Sequence, residues 1–429
     1  MKQFHYYFLA ITLCVCSSAC NKHTPVTNPD DYKEFLRATT DNLILIDKEI
    51  SFWSKKLKED GSHFGAQTKL GGLYAKRFQY SGNIKEVHKA DSFYKVANRI
   101  QKKFSSGIYR NLAANAITKH QFWQSKYFLD SAAQLGDNLG YTLLQQFDTQ
   151  LELGNSYEAE RLLNRYQNPN TFEVLIRKAK LSDFRGNLEQ AVLLMEQALD
   201  KVSVINDKAA WLWIKSNLGD FYTHANRFTD AYQCYLDVLR FDSENYHSLK
   251  GIAWLAYSYE KNTKAAKEIL HFLKKVHHIP DYDLLLAEIA AYENNEELSK
   301  AYTASFIKQV TAPEYGDMYN TYLFDILSEE NNSAAMALAQ KEIRNRPTPQ
   351  SYDLLSWAHY RQGNIKEALR IATGYVENKC FEPSAQYHLA LIYKANNNNK
   401  KAKHFLKEVS SAFVELGPLF EQNFRNQNL

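Results

Sequence analysis

Nine alanines and one serine punctuate this chain at a nearly constant interval: Ala90, Ser125, Ala159, Ala191, Ala231, Ala265, Ala301, Ala334, Ala368 and Ala402. The gaps are 35, 34, 32, 40, 34, 36, 33, 34 and 34 residues. A unit repeating at that interval cannot bury its apolar face alone and must stack on copies of itself. Units of this length are helical hairpins, so the period predicts an all-α solenoid with a long concave surface and no closed barrel or sheet. Such surfaces mostly bind. The small residue belongs where the second helix crosses the first, letting the backbones approach to roughly 8–10 Å.

The residues around the alanines carry the pattern further. Between Leu212 and Asn245 the chain reads Leu218-Gly219, Tyr222, Ala231 and Tyr235, opened by Trp211 and Trp213. Leu355, Gly363, Ala368 and Ala372 recur one period later as Leu389, Asn397, Ala402 and Leu406. Gly154-Asn155, Gly186-Asn187 and Gly363-Asn364 stand at the turn between helices, where Gly or Asn accepts the left-handed conformation that ends a helix.

This order of aromatic, Leu-Gly, Tyr, Ala and aromatic positions resembles the tetratricopeptide repeat (TPR) family. Departures are frequent: Val238 replaces the last Ala, Ser243 replaces Pro, and Lys178 and Glu288 take a place usually held by Leu. The resemblance implies a right-handed superhelix of about ten hairpins. Residues 1–19 read as a signal peptide and 20–30 as an anchor and flexible tether. Residues 31–65 form a capping helix region, 66–416 the solenoid, and 417–429 a tail broken at Gly417-Pro418. The 40-residue gap before Ala231 predicts longer helices around Asp200 to Trp211, not an inserted domain.

Composition fits a helical stack. Only 16 Gly and 9 Pro interrupt 429 residues, about half the usual share for a globular chain. The 28 Tyr serve mainly as filler between hairpins. Lys+Arg and Asp+Glu nearly balance, at 52 and 48, which argues against a nucleic-acid partner.

At the N-terminus, Met1-Lys2 precedes an apolar run from Phe4 to Cys16 and then Ser17-Ser18-Ala19-Cys20. The run is too short to span a membrane and fits a secretory leader followed by small residues. The Cys after small residues resembles a bacterial lipoprotein signal, with Ser17 where Leu is usual. Cys20 is then the expected lipidation site, and the lipid the only membrane contact. The implied location is the bacterial envelope, at the outer membrane. Cys234 and Cys380 remain as reduced thiols, because four repeats of a linear stack separate them.

No catalytic, cofactor-binding or metal-binding residue is expected, since no metal-ligand, nucleophile-elbow or phosphate-loop motif is present. His271, His277 and His278 read as surface histidines at a turn. In TPR proteins the first helices line the concave groove. Projecting the repeat phase places Trp213, Asp220, His247, Lys250, Trp254 and Tyr257 there, as a shelf for a protein or peptide partner. Trp357, Tyr360 and Arg361 form a second such patch. The resemblance implies a lipid-anchored scaffold for protein–protein interaction. The alternatives are a SusD-like glycan-capturing lipoprotein and an accessory subunit of an envelope enzyme or transport complex.

Overall fold

The computed structural model describes residues 24–37, 41–101 and 105–427. Cys20 and the leader lie outside the described residues. Within them the chain is an all-α solenoid of TPR-like hairpins, with no strand. Hairpin 1 pairs Phe64–Ser81 with Ile84–Ile100, and hairpin 2 pairs Ser106–Thr118 with Phe122–Leu135. Hairpins 3 (Leu139–Glu152, Ser156–Asn164) and 4 (Phe172–Phe184, Leu188–Ile205) follow. Hairpin 5 joins Lys208–His224 to Phe228–Phe241. In hairpin 6, Tyr246–Trp254 continues as a π-turn, Leu255–Tyr259, before Thr263–Val276. Hairpins 7 (Asp281–Tyr292, Glu296–Val310) and 8 (Asn320–Glu330, Asn332–Asn345) come next. Hairpin 9 is Pro349–Arg361 with Ile365–Ile371, extended by a second π-turn, and hairpin 10 is Pro383–Ala395 with Asn399–Ser411.

Turn chemistry sets the hairpin geometry. Gly82, His120, Gly154, Gly186, Asn226, Lys261, Asn294, Gly363 and Asn397 all adopt positive φ where the first helix ends. Four residues into the second helix, the side chain meets the crossing. There stand Val87, Ser125, Ala159, Ala191, Ala231, Ala266, Ala335, Ala368 and Ala402, each buried. This corrects the repeat phase in four hairpins. The crossing falls one residue later than expected at Ala265 and Ala334, and three earlier than at Ala90. In hairpin 7 it falls at Ser299, and Ala301 is exposed. Glycine has a second use beside Tyr235, whose ring lies between hairpins 5 and 6. A Cβ on Gly219 would come within 2.5 Å of that ring, and one on Gly251 would also run into it.

The stack closes on itself. The Ser81 carbonyl accepts from the His278 N–H at 2.8 Å. A Cβ on Gly154 would meet the Pro347 carbonyl at 2.7 Å, and one on Gly186 the Phe381 ring at 2.5 Å. Arg346 pairs with Glu152 at 2.9 Å, and His224 with Glu415 at 3.1 Å. Each turn thus rests on the connection that follows the hairpin five places further on. The expected open concave surface becomes the wall of a lumen.

Both ends of the described chain are engaged. Val26 and Thr27, expected in a flexible tether, donate their N–H groups to the Glu260 carboxylate at 2.7 and 2.6 Å. Tyr32 and Phe35 join the largest apolar core, which runs through hairpins 4 to 7. The helix Asp41–Glu59 packs on the first helix of hairpin 1 and buries Ile46. At the other end, the expected tail forms two short helices, Phe413–Leu416 and Pro418–Asn426. The second packs against the first helix of hairpin 7 and the π-turn of hairpin 6.

Candidate functional site

The projected groove residues divide into two groups. Trp213 is 44% exposed. Seven residues on, Asp220 accepts from the Tyr235 hydroxyl at 2.7 Å and pairs with His247 Nε2 at 2.8 Å. Lys250 pairs with Asp281 at 3.0 Å. Burial opposes its charge, but the Asp281 carboxylate more than offsets this and holds the lysine pKa above its usual value. The contacts Asp220–His247 and Lys250–Asp281 thus tie hairpin 5 to hairpin 6 and hairpin 6 to hairpin 7.

Trp254 and Tyr257 are placed differently. Tyr257 is fully buried, and its hydroxyl donates to Glu288 at 3.1 Å. Trp254 packs on the main core and meets the Tyr257 ring edge-to-face, with centroids 6.0 Å apart. The expected open aromatic shelf is therefore a covered wall. The reason is local. Tyr257 stands nine residues before the crossing at Ala266, as the buried Tyr222 stands nine before Ala231, so its ring takes the filler place between helices, and Trp254 packs beside it. Trp357 is also buried, stacked between Tyr360 at 4.8 Å and His388 at 4.1 Å.

What covers Trp254 and Tyr257 is the C-terminal segment. Gly417 and Pro418 are buried, and Gly417 Cα would carry a Cβ 3.4 Å from Trp254 and in collision with Glu288. Gly417 has φ of 88°, so the position needs glycine on both counts. The Leu419 backbone approaches the Tyr257 hydroxyl and lowers its pKa against the effect of burial, and Glu421 pairs with Lys261 at 2.9 Å. Phe420 meets Tyr387 edge-to-face at 5.0 Å. Burial pushes the Glu288 carboxyl up to about 7, against the Tyr257 hydrogen bond.

Beside this covered wall a cavity of about 910 Å³ opens in the lumen. Hairpins 3 to 5 supply Asp148, Glu152, Lys180, Asp183, Asp220 and His224. The facing side supplies Arg346, Glu382, Glu408 and Glu415. Carboxylates outnumber cations. Burial works against a charge on His224, but the hydrogen bond and charge of Glu415, with Asp183 and Asp220, push its pKa to about 9. Burial raises the Asp183 and Glu382 carboxyls, and Glu415 adds to both. Sequence reasoning reached Asp220 as a groove residue. It missed the facing side, which comes from hairpins about 200 residues away and left no local signal.

Two of the three turn histidines have structural partners. His277 Nδ1 contacts the Tyr282 hydroxyl at 2.7 Å, and the His278 backbone joins hairpin 1. No cluster of three or more metal-ligating side chains is found among the described residues. Cys234 and Cys380 are free and buried, and burial pushes the Cys234 thiol up to about 11.

Comparison with protein-family models finds no match, and comparison with curated proteins finds none either. Among solved structures the chain is similar to the crystal structure of the yeast Tom70. The identity is 14% and the TM-score 0.36, over 81% of this chain and 92% of that one. At that overlap the likeness says nothing of activity or partner.

Proposed function

We propose that this chain is a lipid-anchored scaffold of a bacterial envelope that holds a protein segment in its lumen. The TPR-like fold supports a role in protein–protein interaction. The observation that carries the reading is the 910 Å³ cavity walled by two successive turns of the superhelix. Its carboxylate-rich lining favours a segment carrying Lys or Arg, which a low-dielectric, walled-in site attracts more strongly than open water does. The sequence at Cys20 supplies the anchor in this reading, and the ion pairs from Asp220 to Asp281 supply a rigid frame.

Affinity capture from membranes, with crosslinking and mass spectrometry, tests the reading. Crosslinks from a reproducible protein partner to Lys180 and to lysines placed at Asn217 or Gln386 are the expected result. Crosslinks confined to the outer surface would sink it. Mass spectrometry of the mature N-terminus tests the anchor: an unmodified chain starting elsewhere would remove the lipid from the proposal.

A further inference from the structure

Three features of the covered wall are costly unless something is gained. Lys261 holds a left-handed conformation, with φ of 59°, at a turn position that seven of its eight counterparts in the other hairpins give to Gly or Asn. Such a side chain is strained there. Glu288 stands at a place the repeat pattern gives to Leu, and burial lifts its pKa to about 7. Tyr257 is a buried phenol. All three converge on one object, the helix Pro418–Asn426. Lys261 pairs with its Glu421. The Tyr257 hydroxyl donates to Glu288, and Glu288 lies beside Gly417 at the helix start.

The helix itself is held lightly. It has nine residues, of which only Pro418 is buried. A helix so short is not stable alone in water. Phe420 and Phe424 lie four apart on one face and both reach the ring of Tyr387, at 5.0 and 6.2 Å.

From this we infer that the C-terminal helix is a displaceable internal ligand, and that the wall beneath it receives a partner helix of the same chemistry. That helix opens on Gly-Pro, which leaves room against Glu288 and Trp254. It continues with a Phe-Glu-x-x-Phe pattern, setting a carboxylate on Lys261 and two rings on Tyr387. The inference rests on the scaffold reading but uses a different wall from the carboxylate-lined cavity. The partner must compete with a tethered helix at high effective concentration, so binding to the native chain is weakened in proportion to the fraction covered.

The test uses the full chain and a labelled synthetic peptide spanning residues 413–427. Gly417→Val should unseat the helix and bind the peptide at least about tenfold more tightly than the native chain. Should Gly417→Val fail to fold, the doubly substituted chain Glu421→Lys, Phe424→Ala weakens only the half-exposed helix and should give the same gain. A peptide carrying those two changes should lose that affinity, and Lys261→Glu in the chain should restore binding of a Glu421→Lys peptide. Equal peptide binding by native and substituted chains would overturn the proposal. So would a concentration-dependent dimer that exchanges this helix and ignores the peptide. A partner captured in membranes whose crosslinks persist unchanged in the substituted chain would leave the scaffold reading intact and remove this one.

Discussion

Hairpins 5 and 6 are neighbours in the stack, yet the first helix of one borders an open cavity and that of the other is covered. In hairpin 5, Asp220 and His224 line a cavity. In hairpin 6, Trp254 and Tyr257 lie under the chain's own C-terminus. The repeat supplies a frame, and two local events decide what each frame displays. One is the π-turn Leu255–Tyr259, which rotates the end of the helix. The other is Lys261 in place of Gly or Asn, which reaches across the turn to the C-terminal helix. Repeat identity therefore fixes where a side chain starts and leaves open what it meets.

The sharpest way to break the comparison is to separate the two walls. Tyr235 fills the space between hairpins 5 and 6 and donates to Asp220. Tyr235→Ala should cost about 3–5 kcal/mol by urea denaturation, the range for deleting a large buried ring. A loss under about 1 kcal/mol would mean that the hairpins are held together elsewhere. Next comes Ala231→Leu, which overpacks a helix crossing and should destabilise by about 1–3 kcal/mol. The matching change Ala301→Leu, at an exposed site, should stay within about 0.5 kcal/mol. If the two changes cost the same, the corrected phase of hairpin 7 is wrong.

A pH titration sharpens the contrast further, with a smaller effect. His224 rises from 6.5 to about 9 beside Glu415, Asp183 and Asp220. Its contribution is fully present below pH 6.5 and is lost as pH rises through about 9. Glu288 rises from 4.5 to about 7 beside Tyr257 and Gly417. The folded state binds its proton more tightly, so stability falls as pH rises from 4.5 through about 7. Both trends loosen the C-terminal segment at alkaline pH. Amide exchange of residues 413–427, corrected for its intrinsic pH dependence, should show protection falling between pH 6 and 9.5. His224→Gln should flatten the upper part of that fall and Glu288→Gln the lower part. Protection that stays constant in the native chain would show that neither group is coupled to the segment.

The fold was legible in the sequence because the period is physical. A crossing that takes Ala or Ser in every hairpin but the first, where it takes Val87, recurs once per hairpin, and turn glycines and asparagines mark the same interval. Ala301 shows the limit: an alanine at the right interval need not be the alanine at the crossing. The site was half legible. Asp220, His247 and Lys250 follow from helix phase alone. Tyr257 does not, because a phase set on Ala265 rather than Ala266 hides its match to the buried Tyr222. Nor does the partnership of His224 with Glu415, 191 residues apart, since closure of the superhelix depends on the summed small rotations of every hairpin between them.

That closure changes what kind of material the solenoid is. In an open stack each repeat feels only its neighbours, so unfolding can fray inward from either end. Here Ser81 is bonded to His278, Glu152 to Arg346 and His224 to Glu415. The chain behaves less like a spring and more like a coil welded along its seam. Losing the last hairpin and the segment after it would loosen hairpin 5 as well as hairpin 9, so damage at one end is felt in the middle. Forming the seam requires contacts between residues about 200 apart in sequence, which delays the final step of folding and makes the finished coil cooperative over its full length.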